Sequence, residues 1–513
     1  MGKTTVKLSY LIAAVTLVAC SSERGATPLP GSQPLPPAYT APHWQSKPVA
    51  VAPVEHPYMA PAGRNSMHSD SYNSDVHHSR APTASAVVQS SRLGAKRLGG
   101  QCATNTFTGD GKLILLCAKL DGFRIQLLQP RTLELLAEYR MPVRSSSYQA
   151  LLAWDRSIIM NDSSGAYFYL DDQDRVVLVD NLNRILRLGH RQLAGGEWEF
   201  YLDRQWDLSG VVPSDCLRPT NPFASGECDM ITAVLPDHTG DLWWASRYGR
   251  IGTVDTSSGR VAAITLAGEE VQNGFAVAAD GVYLVSDHAL YALDKSPDGN
   301  PLVRWREPYD RGSGRKVGSI NQGSGNTPTL FSRYLTITDN AVQQINLLIY
   351  ERLAATDRLV CQVPLFIPGG SATDNSMIAY NHTVIVENNA GYSSVYGDND
   401  WSLMPGGVER IDVDPATGSC TTVWRSAINA PSSVPKLAAS IGVAYFYAFA
   451  LEASGERLWS LVGLDVHSGE TVVELPTGYG AVFNNNWAPI TLAPDGTAYV
   501  VTSRGILALW QPE

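Results

Sequence analysis

Charge is scarce in this chain. Charged residues fill 17% of its 513 positions, below the roughly 25% of an average soluble domain. The balance is negative, 39 Lys and Arg against 49 Asp and Glu, a net −10. A nucleic-acid surface needs a basic face that releases counterions, so the composition argues against that partner. Past residue 20 no apolar run approaches the roughly 20 residues of a membrane span. CxxC spacing is absent, which argues against a structural zinc site. No Gly-x-Ser-x-Gly elbow is present to carry a hydrolase nucleophile. The basic run Gly312–Lys316 lacks the spacing of a phosphate loop and reads as a surface loop.

What is present is apolar and turn-rich. Hydrophobic residues reach 44%, with 44 Gly and 31 Pro. That mixture suits a β protein with many tight turns. Length alone suggests about three domains, but a repeat architecture can fill the same span with one closed unit.

The first 20 residues read as an export signal. Lys3 and Lys7 precede the apolar stretch Leu8–Val18, which is too short to span a bilayer. The stretch ends in Leu17-Val18-Ala19-Cys20, followed by Ser21-Ser22. This resembles the bacterial lipobox. The resemblance implies cleavage before Cys20, lipidation of Cys20 and stable anchoring by several acyl chains. Ser21 in place of Asp resembles the sorting signal for the Gram-negative outer membrane. The expected location is the bacterial cell envelope, lipid-anchored, at the outer membrane.

Removing Cys20 leaves Cys102, Cys117, Cys216, Cys228, Cys361 and Cys420. An even count in an exported chain points to disulfides. Of fifteen connectivities we favour 102–117, 216–228 and 361–420. The first two close short loops, and the third joins strands of neighbouring repeats.

Residues 21–97 carry Pro-rich then Ser-, Ala- and His-rich sequence without hydrophobic periodicity. They are expected to form a largely disordered tether. Within them, Asn65–His78 is less random, and its polar groups suit metal ligation or insertion into a cleft.

From residue 98 to 513 short β-strands alternate with Gly, Asp and Asn turns about every 40 residues. Asp241–Asp255, Gly281–Asp294 and Gly496–Trp510 are the clearest units. These units resemble the repeats of PQQ-like (quinoprotein dehydrogenase-like) β-propellers. The expected fold is all-β, a propeller of four-stranded blades, eight favoured and seven the fallback. Repeats begin near residues 103, 165, 230, 273, 327, 375, 434 and 488. The last lacks a fourth strand, which residues before 102 would supply. Residues 146–162 fit poorly and read as an insertion.

In such blades the turn between strands two and three shares a face with the loop leading into strand one. These loops are rich in amides and carboxylates. Asp339, Asn340, Asn375, Glu387, Asn388 and Asn485 supply the oxygens that calcium prefers. They resemble the channel metal site of gluconolactonase- and paraoxonase-type propellers, which would imply a lactonase- or esterase-like hydrolase with calcium polarising a carbonyl. His288, beside Asp287, is the candidate for a proton carrier. Asn389, Lys436 and Trp487 are candidates for binding a partner or small ligand. Adjacent cysteines and long loop insertions, frequent in PQQ dehydrogenases, are missing, so PQQ is not expected. The strong signals are tether, disulfides and repeats, none of them chemical. The favoured reading is therefore an envelope-anchored binding or scaffold module for an envelope protein, peptide or small ligand. The calcium hydrolase is the alternative, and the sequence leaves open whether the protein is an enzyme.

Overall fold

The computed structural model describes residues 33–83, 88–93, 101–119, 122–155, 157–160, 162–393 and 399–512. Residues 1–20, over which an export signal ending at Cys20 is expected, lie outside the described residues. Eight four-stranded antiparallel blades form an eight-bladed β-propeller. Blades 1 to 7 run in chain order over residues 101–140, 168–207, 231–265, 276–308, 329–364, 378–426 and 436–479. Blade 8 takes three strands from residues 490–510, and its fourth is Val88–Leu93. That strand pairs antiparallel with the C-terminal one, from Val88 opposite Trp510 to Leu93 opposite Gly505. The ring thus closes as the missing fourth strand of the last repeat required, and no blade is left with an open outer edge at the seam.

The strand patterns follow from this stacking. Middle strands such as Leu242–Ser246, Tyr334–Thr338 and Ala498–Thr502 are buried at every position, because a neighbouring blade covers each face. Outer strands such as Cys420–Ser426 are exposed at alternate positions. Eight apolar clusters result, one between each neighbouring pair of blades. The one between blades 8 and 1 packs Tyr499, Val501 and Ile506 on Phe107, Leu113 and Leu115. Turns are held by aspartates. Asp237 Oδ1 accepts from Thr239 N at 2.8 Å and Asp241 N at 3.2 Å, while Gly240 takes φ +91°, a conformation that favours glycine.

All three expected disulfides form: Cys102–Cys117, Cys216–Cys228 and Cys361–Cys420. The third bridges the outer strands of blades 5 and 6. The expected insertion is helical, with α1 at Ser145–Ala153 and α2 at Ser157–Met160. Among the described residues no helix is long and apolar enough to cross a membrane.

Residues 33–83 differ from the extended tether expected over 21–97. Tyr39–Thr40 add to the outer edge of blade 7 opposite Glu474 and Val473. The chain then passes the turns of the strand-one-to-two face. Val49 N–H donates to the Ala439 carbonyl, and the His56 ring packs on His238 at 4.2 Å. From Ala60 onward it enters the channel. Polar groups without periodicity read as solvated chain, but here the propeller buries them and supplies partners to much of their backbone.

Candidate functional site

Propellers expose the free edges of their innermost strands to the central channel. Those backbone groups need partners once water is excluded. Residues 60–79 supply them, blade by blade. Ala60 N–H donates to Leu170 O at 2.9 Å, and Leu170 N–H to Asn65 O at 2.7 Å, in blade 2. Val277 N–H donates to Ser71 O in blade 4, and Leu330 N–H to Tyr72 O in blade 5, both at 2.8 Å. Ala379 N–H reaches Ser74 O at 3.0 Å in blade 6. Leu437 and Ala439 N–H reach Asp75 and His77 O at 2.9 and 2.8 Å in blade 7. Ser79 Oγ donates to Leu492 O at 3.2 Å in blade 8. On the blade 1 side Thr106 Oγ1 donates to Arg64 O. This strap makes a near-complete circuit of the channel wall. To turn so tightly it places Ser69, Asn73 and Asp75 at φ 74°, 57° and 56°, a region in which Asn and Asp are enriched among non-glycine residues. Asp70 holds the turn by accepting from Tyr72 N at 2.9 Å and Ser74 N at 3.2 Å.

A sealed polar network pins the strap. Lys436, at the start of blade 7 and fully buried, pairs through Nζ with the Asp75 carboxylate and donates to Met67 O at 2.7 Å. Ser376 Oγ donates to the other oxygen of Asp75 and lies 2.7 Å from His68 Nδ1. His68 Nδ1 is 3.4 Å from Asp75. Burial alone would raise the Asp75 carboxyl, but Lys436 and His68 hold it below its ordinary value. Burial lowers the Lys436 ammonium against the pull of Asp75. Burial raises Asp70 to about 7, and Asp374 likewise to about 7.

Ser376, His68 and Asp75 are the residue types of a hydrolytic triad. Here the carboxylate contacts the serine as well as the histidine, and all three residues are buried. The arrangement is a hydrogen-bond network that holds the strap. Above it, Ser163 Oγ donates to Gln272 O at 2.5 Å and Tyr167 OH to Asn273 Oδ1 at 3.1 Å. Asn273 Nδ2 donates to Gly325 O. The loops that join blades therefore knit across the channel mouth.

The proposed calcium donors are placed around this mouth but do not converge on one point. Among the described residues no three His, Cys, Asp or Glu side chains approach one another as metal ligands would. Asp339 accepts from Asn346 N and Asn346 Nδ2, both at 2.7 Å. Asn340 Nδ2 donates to Arg311 O and Gly314 O, each at 3.0 Å. Asn388 makes four bonds, from Ala372 N and Ala390 N and to Gly370 O and Gly406 O. Asn485 is spent on Ala488 and Val501 backbone. Only Asn375 and Asn389 come together with Glu387, each donating an amide hydrogen to it. An amide that donates through nitrogen offers no lone pair there. Burial raises the Glu387 carboxyl above its ordinary range, against the hydrogen bonds from Asn375 and Asn389.

The remaining candidates are placed as follows. His288 Nδ1 lies 2.9 Å from Asp287, which also pairs with Arg311. Asn389 Oδ1 accepts from Asp374 N at 2.8 Å. Trp487 packs edge-on against Tyr392 at 5.2 Å. Lys436 alone belongs to the strap site.

Sequence reasoning missed a second feature. Val317, Val342, Ile367 and Leu403 line one cavity of about 580 Å³ on the face of the blade-joining loops. They are 61%, 55%, 57% and 75% exposed. Lys316 flanks it, its Nζ donating to the Ala341 and Ser371 carbonyls. These residues sit singly in long loops, so no periodicity marks them. On the same face α1 exposes Leu151 and Leu152, with Trp154 just beyond it.

No family model matches the chain. An uncharacterized protein of Archaeoglobus fulgidus is 26% identical over 388 residues, spanning 67% of this chain and 70% of that protein. Among solved structures, dihydro-heme d1 dehydrogenase superposes with TM-score 0.42 at 14% identity, covering 75% of this chain and 69% of its own. A streptogramin B lyase gives TM-score 0.37 at 9% identity, covering 83% and 98%. A putative 6-phosphogluconolactonase of Bacteroides fragilis gives 0.36 at 13% identity, covering 66% and 84%.

Proposed function

We propose that this protein is a lipid-anchored binding module of the cell envelope that engages a protein partner through the face of the blade-joining loops. The single observation that carries the reading is the occupied channel. The site where a propeller most readily encloses a small ligand is filled by residues 60–79 of the same chain. Binding is left to the outer surfaces. Of these, the blade-joining face presents the large apolar side chains Val317, Val342, Ile367 and Leu403 around one cavity. Clustered exposed apolar groups mark interaction surfaces. The strap crosses turns of the opposite face, so the two faces have separate tasks. Three disulfides are compatible with an extracytoplasmic location. Anchoring rests on Cys20 and its resemblance to a lipobox.

The test is site-specific photocrosslinking in the native host. A benzoylphenylalanine at Ile367 or Leu403 is expected to give one discrete protein adduct. The same probe at Leu353, exposed on the opposite face, is expected to give none. Val317→Asp with Leu403→Asp should abolish the adduct without changing Tm. Equal labelling from both faces, or none from either, overturns the proposal.

A further inference from the structure

The contacts of Lys436 point to a ligand site. Lys436 and Ser376 come from the propeller wall: Ser376 from the loop leading into blade 6, Lys436 from the first strand of blade 7. Both aim at one point in the channel, and that point is held by a carboxylate of the strap. A fully buried ammonium demands a counter-charge and acceptors. The hydrogen-bond partners of Lys436 Nζ are both strap groups, Asp75 Oδ1 and Met67 O.

We propose that Lys436 and Ser376 form a carboxylate-binding pocket in the channel wall, that Asp75 fills it as an internal ligand, and that a small free carboxylate occupies it when residue 75 has none. The two oxygens of the carboxylate are bound separately, one by the ammonium with His68 Nδ1 3.4 Å away, and one by the Ser376 hydroxyl. This selects a two-oxygen anion over a spherical one. Backbone bonds also hold the strap on its path at residue 75. Ser74 O and Asp75 O are held by Ala379 N and Leu437 N. Residue 75 sits at φ 56°, which glycine accepts without strain. Asp75→Gly therefore empties the pocket while leaving the backbone able to keep its course, and the space vacated is that of a formate or acetate ion.

The experiment uses the full chain. Tm of Asp75→Gly is followed as sodium formate replaces sodium chloride at constant ionic strength. The expected result is a Tm below wild type in chloride that climbs saturably with formate and recovers most of the loss. Wild type should not respond, and neither should Asp75→Gly with Lys436→Met. A flat response, or an equal response with Lys436→Met, overturns the proposal. Should Asp75→Gly not fold even in formate, Asp75→Asn decides, alone and with Lys436→Met. A pocket built around the ammonium makes the double variant the more stable of the two. A less stable double variant overturns the proposal.

Discussion

Lys436 is ion-paired with Asp75, a residue 361 positions earlier in the chain. The pair ties the strap to the seventh of eight blades. The outer strand Val88–Leu93 likewise finds its partner only at Gly505–Trp510. Both closures wait until nearly the whole chain is present. Such long separations slow folding, because loop closure precedes any reward from contact.

Breaking that pair from one side should be costly. Lys436→Met leaves Asp75 buried beside Ser376 and His68 without its cation. Removing one member of a buried pair typically costs about 3–5 kcal/mol. The expected outcome is a clear fall in the urea midpoint, accompanied by faster proteolysis within residues 60–80. Unchanged protection of that segment would show that the pair does not hold the strap.

The channel also sets a pH dependence. Asp70 is held at about 7 in the fold, against about 3.9 for an unperturbed aspartate. The folded state binds the proton more tightly. Its contribution is therefore fully present below about pH 4 and is lost as pH rises through about 7. Neutral His56 and His77, lowered by burial to about 4 and about 3, act in the opposite sense over part of that range. The informative quantity is the difference between wild type and Asp70→Asn. Wild type should lose stability relative to the variant between pH 4 and pH 7, measured as urea midpoints at half-unit steps. A constant difference would mean that Asp70 stays ionised.

The propeller was legible because its cause is periodic. Strand, Asp or Gly turn and strand recur at a fixed spacing, and each blade buries its faces only against its neighbours. The missing fourth strand of the last repeat followed from the same regularity, while the disulfides followed from an even cysteine count, two short loops and one pair on neighbouring repeats. The path of residues 33–83 was not legible. Ser69, Asp70, Ser71 and Asn73 look like solvated linker until the partners that bury them are known, and those partners lie hundreds of residues away. Asn65–His78 was singled out for its composition, which also suited insertion into a cleft. The bonding of the channel-mouth amides was hidden for a related reason: Asn388 Oδ1 accepts from the backbone N–H groups of Ala372 and Ala390, and composition does not show which loop groups an amide will meet.

Metal removal separates loop bonding from cation binding. With Asn388 and Asn485 bonded to loop backbone, EDTA should leave Tm unchanged, and protein purified without chelator should carry no stoichiometric calcium. Asn388→Ala should still destabilise, because it strands four backbone groups that belong to residues 370, 372, 390 and 406. Each net hydrogen bond is worth about 1 kcal/mol, so a loss of a few kcal/mol is expected, equal with and without calcium. A loss that appears only in calcium would restore the cation site.

The disulfides should differ in worth and in accessibility. Cys361–Cys420 closes 59 residues, against 15 for Cys102–Cys117 and 12 for Cys216–Cys228. In the chain-entropy account a closed loop of that length contributes about 4 kcal/mol, and loops of 12–15 residues about 3 kcal/mol. Cys361 and Cys420 also lie half-buried on outer strands, whereas Cys102 and Cys117 are buried between blades. Mild reductant should therefore open Cys361–Cys420 before Cys102–Cys117, as read by differential alkylation and mass spectrometry. The paired change Cys361→Ser with Cys420→Ser should lower the urea midpoint more than the same change at Cys216 and Cys228. The reverse order would mean that strand pairing within blades 5 and 6 already fixes their outer edges, leaving the bridge little chain entropy to remove.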